Sequence, residues 1–402
     1  MCSSIVNRNI SRIKHSPSMA AKAAVDRLRD QGQHVIDFTI GEPDLPTPSH
    51  IAKAGQDAIA RGDTKYTSSS GTPALRKAIA QYIEASVGTR YELDQVVVGC
   101  GAKQVISGAL AASLEAGDEV IVCAPYWVSY PDMVLMNGGV PVIITCDEAS
   151  RFKLTPQALE DAITRKTRWV ILNSPNNPTG AVYSPEELET LCDVLLRHPQ
   201  VWLMSDEIYA PYCYDGAVST SPLAVCPHLA KRTLLINGMS KAYAMTGWRV
   251  GYGAGPAPLL RAINAVISQS TSCPSAISQA AAIAALTGPQ ECVSSMVATF
   301  EMRRNRMVDL LAAIPHIVCT SPAGAFYVYP NIGGLIGKKT PDEFIIRSDM
   351  DVAMFLLERA RVAVLDGSSY GLSPYLRFSF AASMENIEEG CRRIREAVAM
   401  LE

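Results

Sequence analysis

The stretch Thr233-Leu-Leu-Ile-Asn-Gly-Met-Ser-Lys241 joins a short apolar run to a glycine and a lone amine. Thr233–Ile236 has the length and branched, apolar character of a strand buried on both faces. Such strands belong to parallel sheets covered by helices, and ligands of those sheets sit beyond the carboxyl ends of the strands. Lys241 stands at that position. Desolvation in a cleft lowers the proton affinity of an amine, which suits it to forming a Schiff base with a carbonyl.

Further apolar runs flank this stretch. Val96–Val98, Glu119–Cys123, Val140–Ile144, Trp169–Leu172, Val201–Met204 and Arg249–Tyr252 read as strands, with helices such as Gln104–Leu114 and Pro185–Arg197 between them. The second helix has Ser184 as N-cap, Pro185 at its first position and Glu187 to complete a capping box. The alternation predicts an α/β fold with a mainly parallel sheet covered on both faces. The C-terminal third differs. A long helix (roughly Pro289–Ala313) precedes strands at Ala325–Tyr329, Val362–Leu365 and Leu376–Ser379, and a last helix runs through Leu401. That pattern predicts a smaller α+β domain. Gly41–Pro48 reads as a connector and Asn331–Met350 as an irregular insertion.

The other strand ends carry polar groups of complementary kinds. Gly99-Cys-Gly-Ala-Lys-Gln104 opens a helix, where backbone N–H groups and the helix dipole favour an anion, though a tight turn would look the same. Asn173-Ser-Pro-Asn-Asn177-Pro-Thr-Gly180 is a turn whose amides could bind a ligand oxygen. Asp206, after Val201–Met204, is a carboxylate that burial makes costly without a partner, and a protonated ring nitrogen is one such partner. Arg249, read as the start of a strand, could grip a phosphate. A phosphate loop, a carboxylate, an amine and an arginine on separate ends of one sheet are the parts a pyridoxal phosphate site requires.

The bulk composition excludes other classes. The chain has 402 residues, 48% hydrophobic and 19% charged, as in a globular protein of two or three domain-sized units. A net charge of −3 offers no basic footprint for nucleic acid. No apolar run is long enough to span a membrane. The 11 cysteines include no Cys-x-x-Cys pair and read as reduced thiols, which predicts a cytoplasmic location. The basic, Ser-containing N-terminus lacks the apolar core of a secretory signal and leaves an organellar transit segment as the alternative. The histidines lie far apart, so no metal site is expected.

Taken in order, the motifs resemble the fold-type I, class I aminotransferases, most closely bacterial aspartate aminotransferases and their prephenate-using relatives. The resemblance spans nearly the whole chain. It rests on Gly41-Glu-Pro-Asp44, Lys65-Tyr-Thr67, Gly71-Thr-Pro-Ala-Leu-Arg76, Gly101-Ala-Lys-Gln104 and Pro125-Tyr-Trp-Val-Ser-Tyr-Pro131. It continues through the Asn173–Gly180 turn, Ser205-Asp-Glu-Ile-Tyr209, the Ser240–Arg249 segment, Gly324-Ala-Phe-Tyr327 and Leu376-Arg-Phe-Ser-Phe-Ala381. It implies a large cofactor-binding domain over 49–290. An N-terminal arm and part of the small domain fall in 1–48, and the rest of the small domain in 291–402.

The same resemblance implies roles. Lys241 would hold pyridoxal 5'-phosphate and move the proton at the substrate Cα. Asp206 would pair with the ring nitrogen, Tyr209 and Asn177 would bond the ring oxygen, and Trp127 would cover the ring face. Gly101, Ala102 and Lys103, with Ser240 and Arg249, would hold the phosphate. Tyr66 would reach the phosphate in a neighbouring subunit, which implies a homodimer. Arg377, with Gly41, would bind the substrate α-carboxylate. Lys103 and Arg12 would contact a distal carboxylate of a substrate such as aspartate. Asp366, in Asp366-Gly-Ser-Ser-Tyr-Gly371, stands where relatives usually have proline, and this bears on substrate breadth. The implied activity is ping-pong transfer of an amino group from aspartate, or a similar amino acid, to 2-oxoglutarate. Prephenate or an aromatic amino acid is the alternative substrate. A lyase on the same fold, or a cofactor-binding protein without catalysis, is the alternative of another class. Regulators of the latter kind carry a fused DNA-binding domain, for which a core beginning near residue 30 leaves no room.

Overall fold

The structure, a computed structural model, describes residues 5–13 and 17–402, with the side chains of 17–20 and 22 left aside. Residues 14–16 of the Arg12–Ser18 segment lie outside the described residues. The strands run in chain order as β1 (Ile36–Asp37), β2 (Val96–Gly99), β3 (Glu119–Ala124), β4 (Val140–Thr145), β5 (Thr167–Asn173) and β6 (Trp202–Asp206). β7 (Thr233–Gly238), β8 (Gly251–Ala254), β9 (Tyr327–Val328), β10 (Val362–Ala363), β11 (Leu365–Asp366) and β12 (Leu376–Ser379) follow.

Seven strands form one sheet in the order β2-β8-β7-β6-β5-β3-β4. Side chains alternate across it as the two-residue period demands. In β5, Trp169 and Ile171 join the cluster with Val105, Ile106 and Leu110 from helix Ala102–Ser113. Val170 and Leu172 face the opposite cluster, with Ile79 from helix Pro73–Val87 and Leu191 from helix Pro185–Arg197. Both faces of β5 are therefore dry, as the apolar strands predict, whereas the edge strand β4 leaves Val140 and Ile143 exposed. The Ser184 capping box forms as expected: the Glu187 N–H donates to Ser184 Oγ at 3.2 Å, and the Ser184 N–H donates to Glu187 Oε2 at 2.8 Å.

β8 departs from the parallel pattern. It pairs antiparallel with both β7 and β2, placing Gly251 opposite Gly238 and Gly99. The amino end of β8 thus lies at the carboxyl ends of its neighbours. Arg249 does not start this strand, contrary to the expectation. It sits two residues before β8 with φ 58°, a left-handed turn that points the chain back into the sheet. No helix among the described residues is long and apolar enough to cross a membrane.

The C-terminal third, together with β1, forms two small sheets, β1-β10 and β11-β12-β9. The expected strand Val362–Leu365 divides between them. Val362–Ala363 pairs in parallel with Ile36–Asp37, and Leu365–Asp366 pairs antiparallel with β12. Ala325 has φ 56° and lies outside β9, which shortens that strand to Tyr327–Val328. Phe38, Phe300, Phe326, Phe378 and Ile387 share one apolar cluster, so the segment after β1 packs with residues from the far end of the chain. The ten described cysteines are free.

Candidate active site

A cavity of about 370 Å³ opens at the carboxyl edge of the large sheet, where the C-terminal third closes over it. Gly41, Gly101, Ala102, Lys103, Trp127, Asn177, Asp206, Tyr209, Ser240, Lys241, Arg249 and Arg377 all line it. These belong to segments far apart in sequence, and the strand ends bring them together.

Asp206 ends β6 and is buried at 4% exposure. Its Oδ2 accepts from Tyr130 Oη at 2.6 Å, and its Oδ1 accepts from the Ile208 N–H at 3.2 Å. Burial pushes its carboxyl up to about 6, although both hydrogen bonds oppose this. No lysine or arginine among the described residues forms an ion pair with it. Lys241 follows β7 on a short helix, Met239–Ala242, and its Nζ donates to the Gly41 carbonyl at 2.5 Å. Burial lowers its amine to about 8. Glu42 acts against that shift, while Arg377 and Arg249 add to it.

Gly101 has φ 87°, and a Cβ there would stand 2.6 Å from the Arg249 guanidinium. A Cβ on Gly251 would stand 2.1 Å from the Ala102 nitrogen. Two glycines therefore let the helix start Ala102–Ser113 approach Arg249 closely. Arg249 donates to the Thr246 and Cys100 carbonyls at 2.8 and 3.3 Å and has no carboxylate partner among the described residues. Backbone donors at a helix start beside an unpaired guanidinium form a cradle for an anion.

Arg377, on β12, is 3% exposed. It donates to Asn177 Oδ1 at 3.2 Å and to the Thr39 carbonyl at 2.5 Å, while its Nε has no hydrogen-bond partner among the described residues. A buried guanidinium with spare donors and no acid beside it is a site for a carboxylate brought by a ligand. Trp127 meets Tyr130 edge-on at 5.2 Å. Lys103 Nζ lies 4.7 Å from the Trp127 ring centroid and donates to Ser129 Oγ at 3.2 Å. Burial lowers the Lys103 amine, and Arg249 lowers it further.

Two expected residues stand apart. Arg12 is exposed on the turn Ile10–Arg12 and does not line the cavity of its own chain. Tyr66 is 89% exposed and borders a different hollow with Lys65, Cys273 and Ile277. Asp366 does not line the cavity either. It is buried, and its Oδ2 accepts from Ser368 Oγ, the Ser369 N–H and Ser369 Oγ at 2.7–2.8 Å. The loop it braces places Tyr370 5.2 Å from the Arg377 guanidinium.

Sequence reasoning missed Tyr130, Asn173, Thr246 and Tyr327, all of which line the cavity. Tyr130 and Tyr327 lie inside motifs already singled out, but nothing in the motif says which way a tyrosine faces.

A mainly parallel seven-stranded sheet with a desolvated lysine at one strand end and a buried arginine on the same cavity is the arrangement expected of the fold-type I aminotransferases. The comparisons agree. The family described as aminotransferase class I and II matches residues 33–394, and the chain belongs to it. An aspartate aminotransferase of Rhizobium meliloti is 48% identical over 388 residues, 96% of this chain and 95% of that one. An aspartate/prephenate aminotransferase of Cereibacter sphaeroides is 48% identical over 392 residues, 98% of each. The crystal structure of the Rhizobium meliloti aspartate aminotransferase superposes with a TM-score of 0.97 at 47% identity over 100% of both chains. The Thermus thermophilus aspartate aminotransferase with maleate superposes at 0.91 and 37% identity, over 98% of this chain and 100% of that one. The protein is an aminotransferase similar to the aspartate aminotransferases.

Proposed function

We propose that this aminotransferase moves the amino group of aspartate, or a similar amino acid, to 2-oxoglutarate with pyridoxal 5'-phosphate as cofactor. One observation carries the reading. Asp206 and Arg377 are buried on the same cavity, and neither has an ion-pair partner among the described residues. Each charge is expensive to leave alone. A cofactor with a protonated ring nitrogen and a substrate with an α-carboxylate would satisfy both.

The donor set fits that cofactor. The Gly101–Lys103 backbone, Ser240 and Arg249 would take the phosphate, and Asp206 would keep the proton on the ring nitrogen. Asn177 uses its Oδ1 on Arg377, which leaves its Nδ2–H to donate to the ring oxygen alongside Tyr209. Trp127 would cover the ring and exclude water. Bound there, the cofactor supplies a carbon that accepts the amino group and a ring that draws electrons from the substrate Cα. Lys241 Nζ, whose proton affinity burial lowers, would carry the proton between the substrate Cα and the cofactor carbon that takes the amino group, in one direction in each half-reaction. Arg377 holds the α-carboxylate, with the Gly41 backbone beside it. Both oxo acids would use this one site, so the first product would leave before the second substrate binds and the kinetics would be ping-pong.

Lys103 is the proposed contact for a distal carboxylate, and Arg12 is a further one that the single chain does not supply. We also propose a homodimer in which the exposed Tyr66 reaches the partner's phosphate site, and the division into 1–48, 49–290 and 291–402. The β1–β10 pairing supports that division. The free cysteines support a cytoplasmic location. Prephenate is the second acceptor to consider, since a relative 48% identical over 392 residues is named for it. The test is to assay amino acids against 2-oxoglutarate and prephenate. Aspartate should be consumed with one of them, and its 2-oxo acid should appear. Failure of every donor with both acceptors overturns the reading.

A further inference from the structure

Tyr327 lies between the two halves of the cavity and has no role so far. It is fully buried on β9. Its hydroxyl lies 2.8 Å from the Tyr209 hydroxyl. Its ring centroid lies 4.4 Å from the Arg377 guanidinium. A Cβ on Gly41 would stand 2.9 Å from its oxygen, so it also abuts the backbone that accepts from Lys241.

We propose that Tyr327 is a positioning residue for amino transfer: its hydroxyl donates to Tyr209, and its ring seats the Arg377 guanidinium. The inference rests on the reading above. If Tyr209 donates its own proton to the cofactor oxygen, its oxygen is free to accept, and the proton between the two tyrosines comes from Tyr327. In a dry site such a chain strengthens the terminal donor, because each hydrogen bond polarises the next. The ring acts separately. Among the described residues Arg377 has two fixed acceptors, Asn177 Oδ1 and the Thr39 carbonyl, and its Nε has none. An aromatic face below the guanidinium sets its plane without using the N–H groups that a carboxylate needs. Tyr327 is thus a single side chain on which the cofactor-side donor and the substrate-side cation both depend. A tyrosine that merely filled the core would tolerate phenylalanine without a spectroscopic consequence.

The test uses the cofactor-loaded protein. Two readouts are measured in the wild type, Tyr327→Phe and Tyr327→Leu. One is the pH at which the absorbance of lysine-bound pyridoxal phosphate titrates. The other is the affinity for succinate, a dicarboxylate that cannot react. Tyr327→Phe should raise the titration midpoint by about 0.5 to 1 unit, the equivalent of one hydrogen bond, and change succinate affinity by less than about twofold. Tyr327→Leu should weaken succinate by about tenfold as the cation loses the nearer of its two rings, with Tyr370 remaining at 5.2 Å. In a Tyr209→Phe background, Tyr327→Phe should add no further shift, because the chain is already cut. An unmoved midpoint in Tyr327→Phe overturns the hydroxyl role. Undiminished succinate binding in Tyr327→Leu overturns the ring role, and if that variant fails to fold, Tyr327→Phe and the double variant still decide the hydroxyl role. A wild-type protein with no titrating absorbance removes the cofactor reading and this inference with it. A wild type that titrates beside an unmoved Tyr327→Phe removes the hydroxyl role alone.

Discussion

The two walls of the cavity are built differently. The sheet wall comes from consecutive strand ends: Asn173 and Asp206 terminate adjacent parallel strands, and Lys241 follows the next one. The opposite wall comes from distant segments, and Arg377 is held in part by Thr39, 338 residues away. The sheet wall holds its groups through the ladder itself, so its geometry survives as long as the sheet does. The other wall holds its arginine by two hydrogen bonds and two aromatic rings, Tyr327 and Tyr370. The difference implies that damage to the sheet wall abolishes chemistry, whereas damage to the other wall weakens binding.

That contrast can be broken by substitution. Lys241→Ala should lower kcat by at least about 10⁴-fold and remove the absorbance of bound cofactor, since Lys103, the other amine on the cavity among the described residues, follows a different strand. Retention of either would place the chemistry elsewhere. Arg377→Leu should lower kcat/KM by roughly 10² to 10³ for every amino donor, the value of a bidentate charged contact, with the cofactor spectrum intact. A loss confined to dicarboxylic donors would assign Arg377 to the distal carboxylate instead. Lys103→Ala should raise KM for aspartate about tenfold and leave alanine nearly unchanged. An equal effect on both would reassign Lys103 to the phosphate.

The smallest expected effect concerns stability. Glu207 follows Asp206 but turns away from the cavity and accepts from Ser205 and Ser221 at 2.8 and 2.7 Å. Burial raises its carboxyl from 4.5 to about 7, with Asp206 adding to the rise and the two serines opposing it. Its folded value lies above its unfolded one, so the folded protein keeps the extra proton between those limits. Its stabilising contribution is full below about 4.5 and is lost as pH rises through about 7. In the cofactor-free protein, Glu207→Gln should flatten the fall in melting temperature over that range. An unchanged slope would show that Glu207 does not titrate there.

Much of the fold could be read from the chain. The strands at Val96, Glu119, Val140, Trp169 and Thr233 and the helix Pro185–Arg197 were legible because apolar runs, periodicity and caps are local properties. The same locality marked Asp206, Asn177 and Lys241, since each stands within five residues of the end of such a run. Arg249 was legible as a cation and misread in its backbone, because a left-handed turn in a non-glycine residue leaves no compositional trace. Arg12 and Tyr66 were drawn from resemblance, and the single chain brings neither to the cavity.

The sequence by itself determined the residue types at the strand ends and the order of the elements. Only the tertiary structure decided that β8 runs backwards, which carries Arg249 to the cavity, and that β1 joins β10 across the length of the chain. It alone decided that Tyr327 faces Tyr209 and Arg377. The reason is physical: a strand's burial depends on its neighbours in sequence, but the direction of a strand in a sheet and the facing of a ring depend on contacts between segments that share no local signal.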